Sequence, residues 1–187
     1  MNRDELCRLA LRETESVYRL AHRLSRASSV CAESLVEETY AMALQIPQPV
    51  PLDENAVRLW LYSVLHAVLH ARLTDGAGDA PIDERTVRAS PDAAARILRW
   101  YKLTNDDWER VDGRLDRAID ELPLRHRIVF LLWSCEGLST RQIASVVDVQ
   151  EPVVRGRLLR ATMAVATQLG EVATGWLGEP AADVATL

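Results

Sequence analysis

Residues 139–152 read Ser-Thr-Arg-Gln-Ile-Ala-Ser-Val-Val-Asp-Val-Gln-Glu-Pro. Ser139 and Gln142 have the spacing of a capping box, which predicts a helix over Ser139–Val147. After a turn of about four residues, a proline suits the first turn of a longer helix, predicted over Pro152–Leu169. Two helices joined in this way are typical of a helix-turn-helix.

The second helix of such a motif presents its N-terminal half to the major groove of DNA. Its predicted inward face consists of Val154, Leu158, Ala161, Val165 and Leu169. On the helical wheel Arg157 and Arg160 lie about 60° apart on one flank, and Arg155 lies on the other. We therefore expect some of these arginines to read bases and others to hold phosphates.

Helical periodicity extends outward from this motif over most of the chain. The predicted helices are Leu6–Leu24, Ala32–Leu44, an apolar stripe over Val57–Leu73, Leu115–Leu122 and Arg125–Glu136. In the predicted helix over Val57–Leu73, Trp60 lies on the apolar stripe. This position favours packing of Trp60 in the core over stacking on an unpaired base. The fold class is therefore predicted as all-α, with two small helical domains joined by a linker. The domains are 1–75 and 113–170, with an acidic linker over 76–112 that contains Trp100, Tyr101 and Trp108, and a tail over 171–187.

Composition limits the class of protein. The 187 residues are 48% hydrophobic and 26% charged, which fits one or two globular domains and excludes disorder and collagen. No apolar run approaches the roughly 18–20 residues of a membrane span, and the charged N-terminus does not fit a secretory signal. A cytoplasmic protein without a membrane span is expected. The net charge of −5 argues against DNA binding, but residues 125–169 hold six arginines against three acids, a local charge of +3.

The reactive side chains do not indicate a catalytic or metal site. Cys7, Cys31 and Cys135 are scattered, as in a protein with reduced thiols. His66 and His70 are four residues apart and share a helix face, but surface or groove positions are favoured over metal ligation. Paired carboxylates, a nucleophile triad and a phosphate loop are all missing from the sequence. We expect no enzyme activity, no metal and no cofactor.

At this point the chain resembles the bacterial sigma factors. The segments Glu121–Leu132, Glu136–Ser139, Ile143–Ala144 and Val154–Ala161 are similar to region 4 of that family. The segments Tyr18–Ala21, Ala32–Tyr40 and Trp60–Val64 resemble region 2. The extracytoplasmic-function type, which consists essentially of regions 2 and 4, is the group most similar to this chain.

The resemblance implies a protein that binds the RNA polymerase core through its beta and beta-prime subunits and directs it to promoter DNA. Region 4 would read the upstream (minus-thirty-five) element and region 2 a flipped base of the downstream (minus-ten) element. The implied DNA-binding residues are Arg141, Pro152, Val153, Arg155, Gly156, Arg157, Leu159 and Arg160. The implied polymerase-binding residues are Ser34, Leu35, Glu37 and Glu38, and those for the minus-ten element are Trp60, His66, His70 and Arg72.

The chain departs from the family pattern in region 2. Ser34 and Glu37 stand where the family usually has Asp and Gln, and Arg72 is the one firm cation at the end of the third predicted helix. Two other interpretations therefore stay open. In one, a sigma-like protein binds polymerase or an anti-sigma factor without melting promoters; in the other, a stand-alone helix-turn-helix regulator dimerises through its N-terminal helices.

Overall fold

The computed structural model describes residues 3–45, 53–73 and 113–169. All regular elements in these ranges are helices, as predicted. They are α1 (Arg3–Arg12), α2 (Thr14–Ser25), α3 (Ala32–Gln45), α4 (Glu54–Leu73), α5 (Arg114–Asp120), α6 (Leu124–Ser134), α7 (Thr140–Val146) and α8 (Glu151–Leu169). The predicted linker over 76–112 and the tail over 171–187 lie outside the described residues. Among the described helices, none is long and apolar enough to cross a bilayer.

The N-terminal unit consists of α1–α4, in which α3 packs against both α2 and α4. Its centre is formed by side chains with 0% exposure, such as Val17, Leu35, Leu61 and Leu65. These residues repeat at steps of three and four along their helices, so each helix turns one apolar face inward. The periodicity therefore predicted the core of this unit.

The prediction of one continuous helix over Leu6–Leu24 is wrong, because the chain breaks at Glu13. This residue has φ −87° and ψ 0°, which separates α1 from α2. Its carboxylate is 3% exposed and accepts hydrogen bonds from Arg58 of α4, with Nε at 2.5 Å from Oε2 and Nη2 at 3.1 Å from Oε1. A buried carboxylate needs such a partner, and the break turns Glu13 toward it.

Helix α3 has the predicted position. The spacing of its apolar residues predicts that Leu35, Val36, Tyr40, Ala43 and Leu44 face inward, and this prediction is wrong for Leu44. Leu35 and Ala43 are buried, and Val36 and Tyr40 pack against the core. Leu44, in the last turn of α3, is 45% exposed, although its neighbour Ala43 is buried.

In the C-terminal unit, formed by α5–α8, the helix α8 packs against α5, α6 and α7. Its partner α6 is buried over nearly its whole surface, including Arg127, which is 4% exposed. The Arg127 guanidinium donates to the backbone oxygen of Asp120 at 3.1 Å, and burial lowers its pKa. Arg127, one of the six arginines counted in residues 125–169, therefore stabilises the fold and is not exposed for binding a ligand.

A short connection joins α6 to α7 and has a demanding geometry. Gly137 takes φ +66°, in the left-handed region that glycine adopts at little cost. The next residue, Leu138, is 8% exposed, and its N–H donates to the carbonyl of Leu132 at 3.1 Å. Ser139 then caps α7. The connection thus fixes the direction of α7 relative to α6.

The two units pack against each other. Helix α2 contacts α6, and α4 contacts α7. Buried side chains of both units belong to one continuous hydrophobic cluster. The candidate site on α7 and α8 is therefore described together with the N-terminal unit beside it.

Candidate nucleic-acid interface

The capping box predicted at the start of α7 is confirmed. The Ser139 Oγ accepts a hydrogen bond from the Gln142 N–H at 3.3 Å, and the Gln142 Oε1 accepts from the Ser139 N–H at 2.9 Å. Two backbone donors at the helix start are satisfied in this way. The first helix of the motif is therefore stabilised by its own sequence.

The turn of the helix-turn-helix also has the predicted length, with residues 147–150 between α7 and α8. Asp148 adopts φ 50°, which aspartate tolerates better than most residues. The N–H of Val149 donates back to the carbonyl of Ala144 at 3.1 Å. The turn is closed by backbone hydrogen bonds, so α8 has a fixed angle to α7.

Helix α8 buries one face and exposes the other. Val154, Ala161 and Val165 have 0% exposure and Leu158 has 8%, which confirms four of the five predicted inward positions; nothing is described for the side chain of Leu169. The exposed or half-exposed residues Pro152, Val153, Arg155, Gly156, Leu159 and Arg160 form what we call the α8 surface. On the helical wheel this surface spans about 160°, with Gly156 near its centre. Arg141, at the start of α7, is also exposed.

The sequence interpretation missed two polar side chains near Arg155: Glu151, which binds Arg155, and Thr140, which binds Glu151. The Glu151 Oε1 accepts hydrogen bonds from Arg155 Nη2 at 2.8 Å and from Thr140 Oγ1 at 2.7 Å. These bonds, the one from Arg155 first, lower the pKa of Glu151. A glutamate four residues before an arginine is a sequence signal for such a pair, whereas Thr140 lies on the other helix and has no local signal.

Arg157, in contrast, is half-buried. It lies close enough to His66 of α4 for its charge to act on that imidazole. Burial, then His70, then Arg157 lower the pKa of His66, and Asp148 opposes them. One residue predicted for the minus-ten element thus neighbours one predicted for the upstream element.

The residues predicted to bind polymerase lie on α3, in different environments. Glu37 is exposed and Ser34 is half-exposed, whereas Leu35 has 0% exposure and serves the core. The Glu38 carboxylate is paired with the guanidinium of Arg72 on α4, and hydrogen bonding from that group lowers the pKa of Glu38. Arg72, which is predicted to bind the minus-ten element, is therefore paired with Glu38, which is predicted to bind polymerase.

The remaining residues predicted for the minus-ten element also lie on α4. Trp60 is half-buried against the hydrophobic cluster, as its place on the apolar stripe indicated. The rings of His66 and His70 are 6.1 Å apart, and His70 is exposed. Within the described ranges, no group of three or more potential metal ligands occurs.

The sequence is also similar to known proteins. The model of the family "Sigma-70, region 4" matches residues 112–164, which include α5, α6, α7 and the exposed part of α8. The ECF RNA polymerase sigma factor SigL of Mycobacterium tuberculosis is 27% identical over 161 residues, which cover 83% of this chain and 84% of SigL. The values are the same for the strains Erdman, CDC 1551 and H37Rv. The C-terminal unit with its helix-turn-helix is therefore similar to region 4 of the sigma-70 family, and the chain as a whole is similar to an ECF RNA polymerase sigma factor.

Proposed function

We propose that this protein is a sigma factor that directs the RNA polymerase core to its promoters, with the upstream element read by α8. The relative SigL is named as an ECF RNA polymerase sigma factor, which supports this proposal. Its partners here are the core enzyme and promoter DNA, and it works in the cytoplasm, where both are found. The role is one of binding and not of catalysis.

The α8 surface is the observation that carries the proposal. Two arginines, Arg155 and Arg160, lie on opposite sides of Gly156, where the backbone offers the least steric bulk. Guanidinium groups suit guanine edges and phosphates. Val153, at 43% exposure, and Leu159, at 50%, offer apolar contact of the kind that thymine methyl groups accept. A helix that presents cations and small apolar groups from a capped helix-turn-helix has the chemistry of a major-groove reader.

The proposal is tested by reconstituting the full-length protein with purified core polymerase and transcribing a library of promoter fragments from the source genome. We expect a stable complex and transcripts that depend on the protein. Arg160→Ala should weaken selection of the upstream element, because it removes a cation of the α8 surface. Arg117→Ala is the matched control, since Arg117 is exposed on α5, away from that surface. Failure to bind core overturns the proposal, and equal loss in both variants overturns the assignment of α8.

A second function is favoured by the state of the minus-ten residues. Arg72 is engaged by Glu38, and His66 lies beside Arg157, so two of the four residues face the protein itself. A sigma-like regulator that binds core, or is held by an anti-sigma factor, without melting DNA would need no free minus-ten surface. Stable core binding with no open complex on any fragment would favour this second function.

A further inference from the structure

Three side chains at the start of α7 and α8 form a hydrogen-bonded group, which we call the Thr140 network: Thr140, Glu151 and Arg155. The Thr140 hydroxyl donates to Glu151 Oε1 at 2.7 Å. Arg155 donates to the same oxygen from Nη2 at 2.8 Å and from Nε at 3.3 Å. Thr140 is the first residue of α7 and Glu151 the first of α8. One carboxylate oxygen therefore links the first helix of the motif to a side chain on the second.

The way in which Arg155 is bound leaves part of its guanidinium for another partner. A guanidinium carries five N–H groups in a planar fork. Both bonds to Glu151 use the Nε–Nη2 edge, so the Nη1–Nη2 edge, with its two parallel N–H groups, remains for a ligand. The Arg155 side chain is 69% exposed. The network thus orients the plane of the guanidinium without covering the edge that a ligand would use.

The network changes the freedom of Arg155 more than the stability of the fold. Ion pairs between exposed side chains are weak, because water competes for both partners. Arginine is among the side chains that lose most rotamer freedom when they bind. A guanidinium that is already ordered in the free protein avoids part of this loss, which corresponds to about a 2- to 12-fold gain in affinity.

The carboxylate also changes how Arg155 responds to different parts of DNA. Hydrogen bonding, from Arg155 first and then from Thr140, lowers the pKa of Glu151, so this residue is charged. Its negative charge offsets that of Arg155 and repels phosphates, which are present in every DNA sequence. Bonds to a base depend instead on the geometry of the fork, and the O6 and N7 atoms of guanine accept two parallel bonds of this kind. An arginine held by a glutamate therefore suits discrimination between bases more than general attraction to DNA.

We propose that Thr140 and Glu151 are positioning residues that orient the guanidinium of Arg155 to read a guanine in the major groove. The proposal rests on the proposed function, because it needs α8 to lie in the groove of promoter DNA. Thr140 does not contact the base. Its hydroxyl holds the Glu151 carboxylate, and this carboxylate holds the arginine. A residue of the first helix thereby takes part in base recognition by the second.

The first measurement uses the free full-length protein. Thr140→Val removes the hydroxyl and keeps a β-branched side chain of similar size, whereas Thr140→Ser keeps the hydroxyl. Thr167→Val is the matched control, because the Thr167 hydroxyl donates to the Met163 carbonyl at 2.8 Å in the last part of α8. Nuclear magnetic relaxation of the arginine Nε–H groups reports how ordered each side chain is. We expect Thr140→Val to lower the order parameter of Arg155, and the other two variants to leave it unchanged.

The second measurement uses the complex of the full-length protein with core polymerase. The probe is a duplex that this complex selects from a random pool, together with single-base variants of that duplex. Arg155→Ala should abolish the preference for guanine at one position, and Thr140→Val should lower the preference at the same position by about 2- to 12-fold. Thr140→Ser and Thr167→Val should keep it. In the Arg155→Ala background, Thr140→Val should have no further effect, because no arginine is left to position.

The outcomes separate this inference from the proposed function. If the wild-type complex selects no sequence, the proposed function is overturned, and the inference with it. A guanine preference that depends on Arg155 but not on Thr140 overturns the role of the Thr140 network and leaves the proposed function intact. The inference is also overturned if Arg155 selects a base other than guanine. An effect of Thr140→Val that persists without Arg155, or that weakens all duplexes equally, shows a purely structural role for Thr140 and contradicts positioning.

Discussion

Replacing Gly156 by alanine should separate the stability of the fold from its capacity to bind DNA. Glycine inside a helix is about 0.5–1 kcal/mol less stable than alanine. A Cβ at this position meets Arg160 Nη1 at 3.6 Å, an ordinary van der Waals distance, so the protein accepts the methyl group. We therefore expect Gly156→Ala to stabilise the free protein and, for a chain of this length, to raise Tm by about 1–4 °C.

The effect on DNA binding should have the opposite sign. Gly156 lies near the centre of the α8 surface, where the helix would come nearest to the base edges. An added methyl group in a packed contact costs about 1–3 kcal/mol, which corresponds to about a 5- to 150-fold loss of affinity.

The assay pairs thermal unfolding, followed by circular dichroism, with titration of a DNA duplex selected from a random pool by the wild-type protein. Gly113→Ala is the control, because a Cβ there meets nothing within 4 Å and Gly113 lies at the start of α5. Unchanged affinity for Gly156→Ala would refute the reasoning that α8 approaches DNA at its centre. A lower Tm for Gly156→Ala would show that the added methyl group does not fit beside Arg160.

Three further variants test individual features. Ser139→Ala should lower the free energy of unfolding by about 1 kcal/mol in urea titrations, because it removes the cap of α7, and Ser139→Thr should retain most of it. Glu151→Gln should reduce base discrimination by Arg155 on a panel of single-base variants of the selected duplex and leave stability nearly unchanged; equal discrimination would show that the pair is incidental. Because the pKa of His66 is lowered in the folded protein, the unfolded chain binds more protons, and the free energy of unfolding should fall as the pH drops below about 6.5. His66→Gln should flatten this part of the pH profile of stability. A profile identical to that of the wild type would contradict the burial of His66.

The sequence predicted those features that depend on neighbouring residues. The capping box of Ser139 and Gln142 and the inward face of α8 follow from contacts within a few turns of one helix. The Glu151–Arg155 pair, which the sequence interpretation missed, could have been predicted for the same reason, because the two residues lie one helical turn apart.

Features that depend on distant parts of the chain were not predictable in this way. Glu13, where the chain breaks between α1 and α2, pairs with Arg58, 45 residues away. The charge of Arg127 predicts a position on the surface. The residue is buried because neighbouring helices enclose α6. Tyr62 and Glu136 meet only because the two units pack, and neither has a local signal. The charge count over 125–169 therefore overstated the cations available to DNA.

The connection between α6 and α7 has a consequence for how this protein can vary. Each of four consecutive residues has a different structural role. The Glu136 carboxylate contacts the N-terminal unit, and Gly137 adopts a positive φ. Leu138 is buried in the core, and Ser139 caps the next helix. An insertion or deletion at this place would displace all of them together. We therefore expect evolution to conserve the length of this connection strictly, and engineered tags or domain insertions to be tolerated elsewhere on the surface before they are tolerated here.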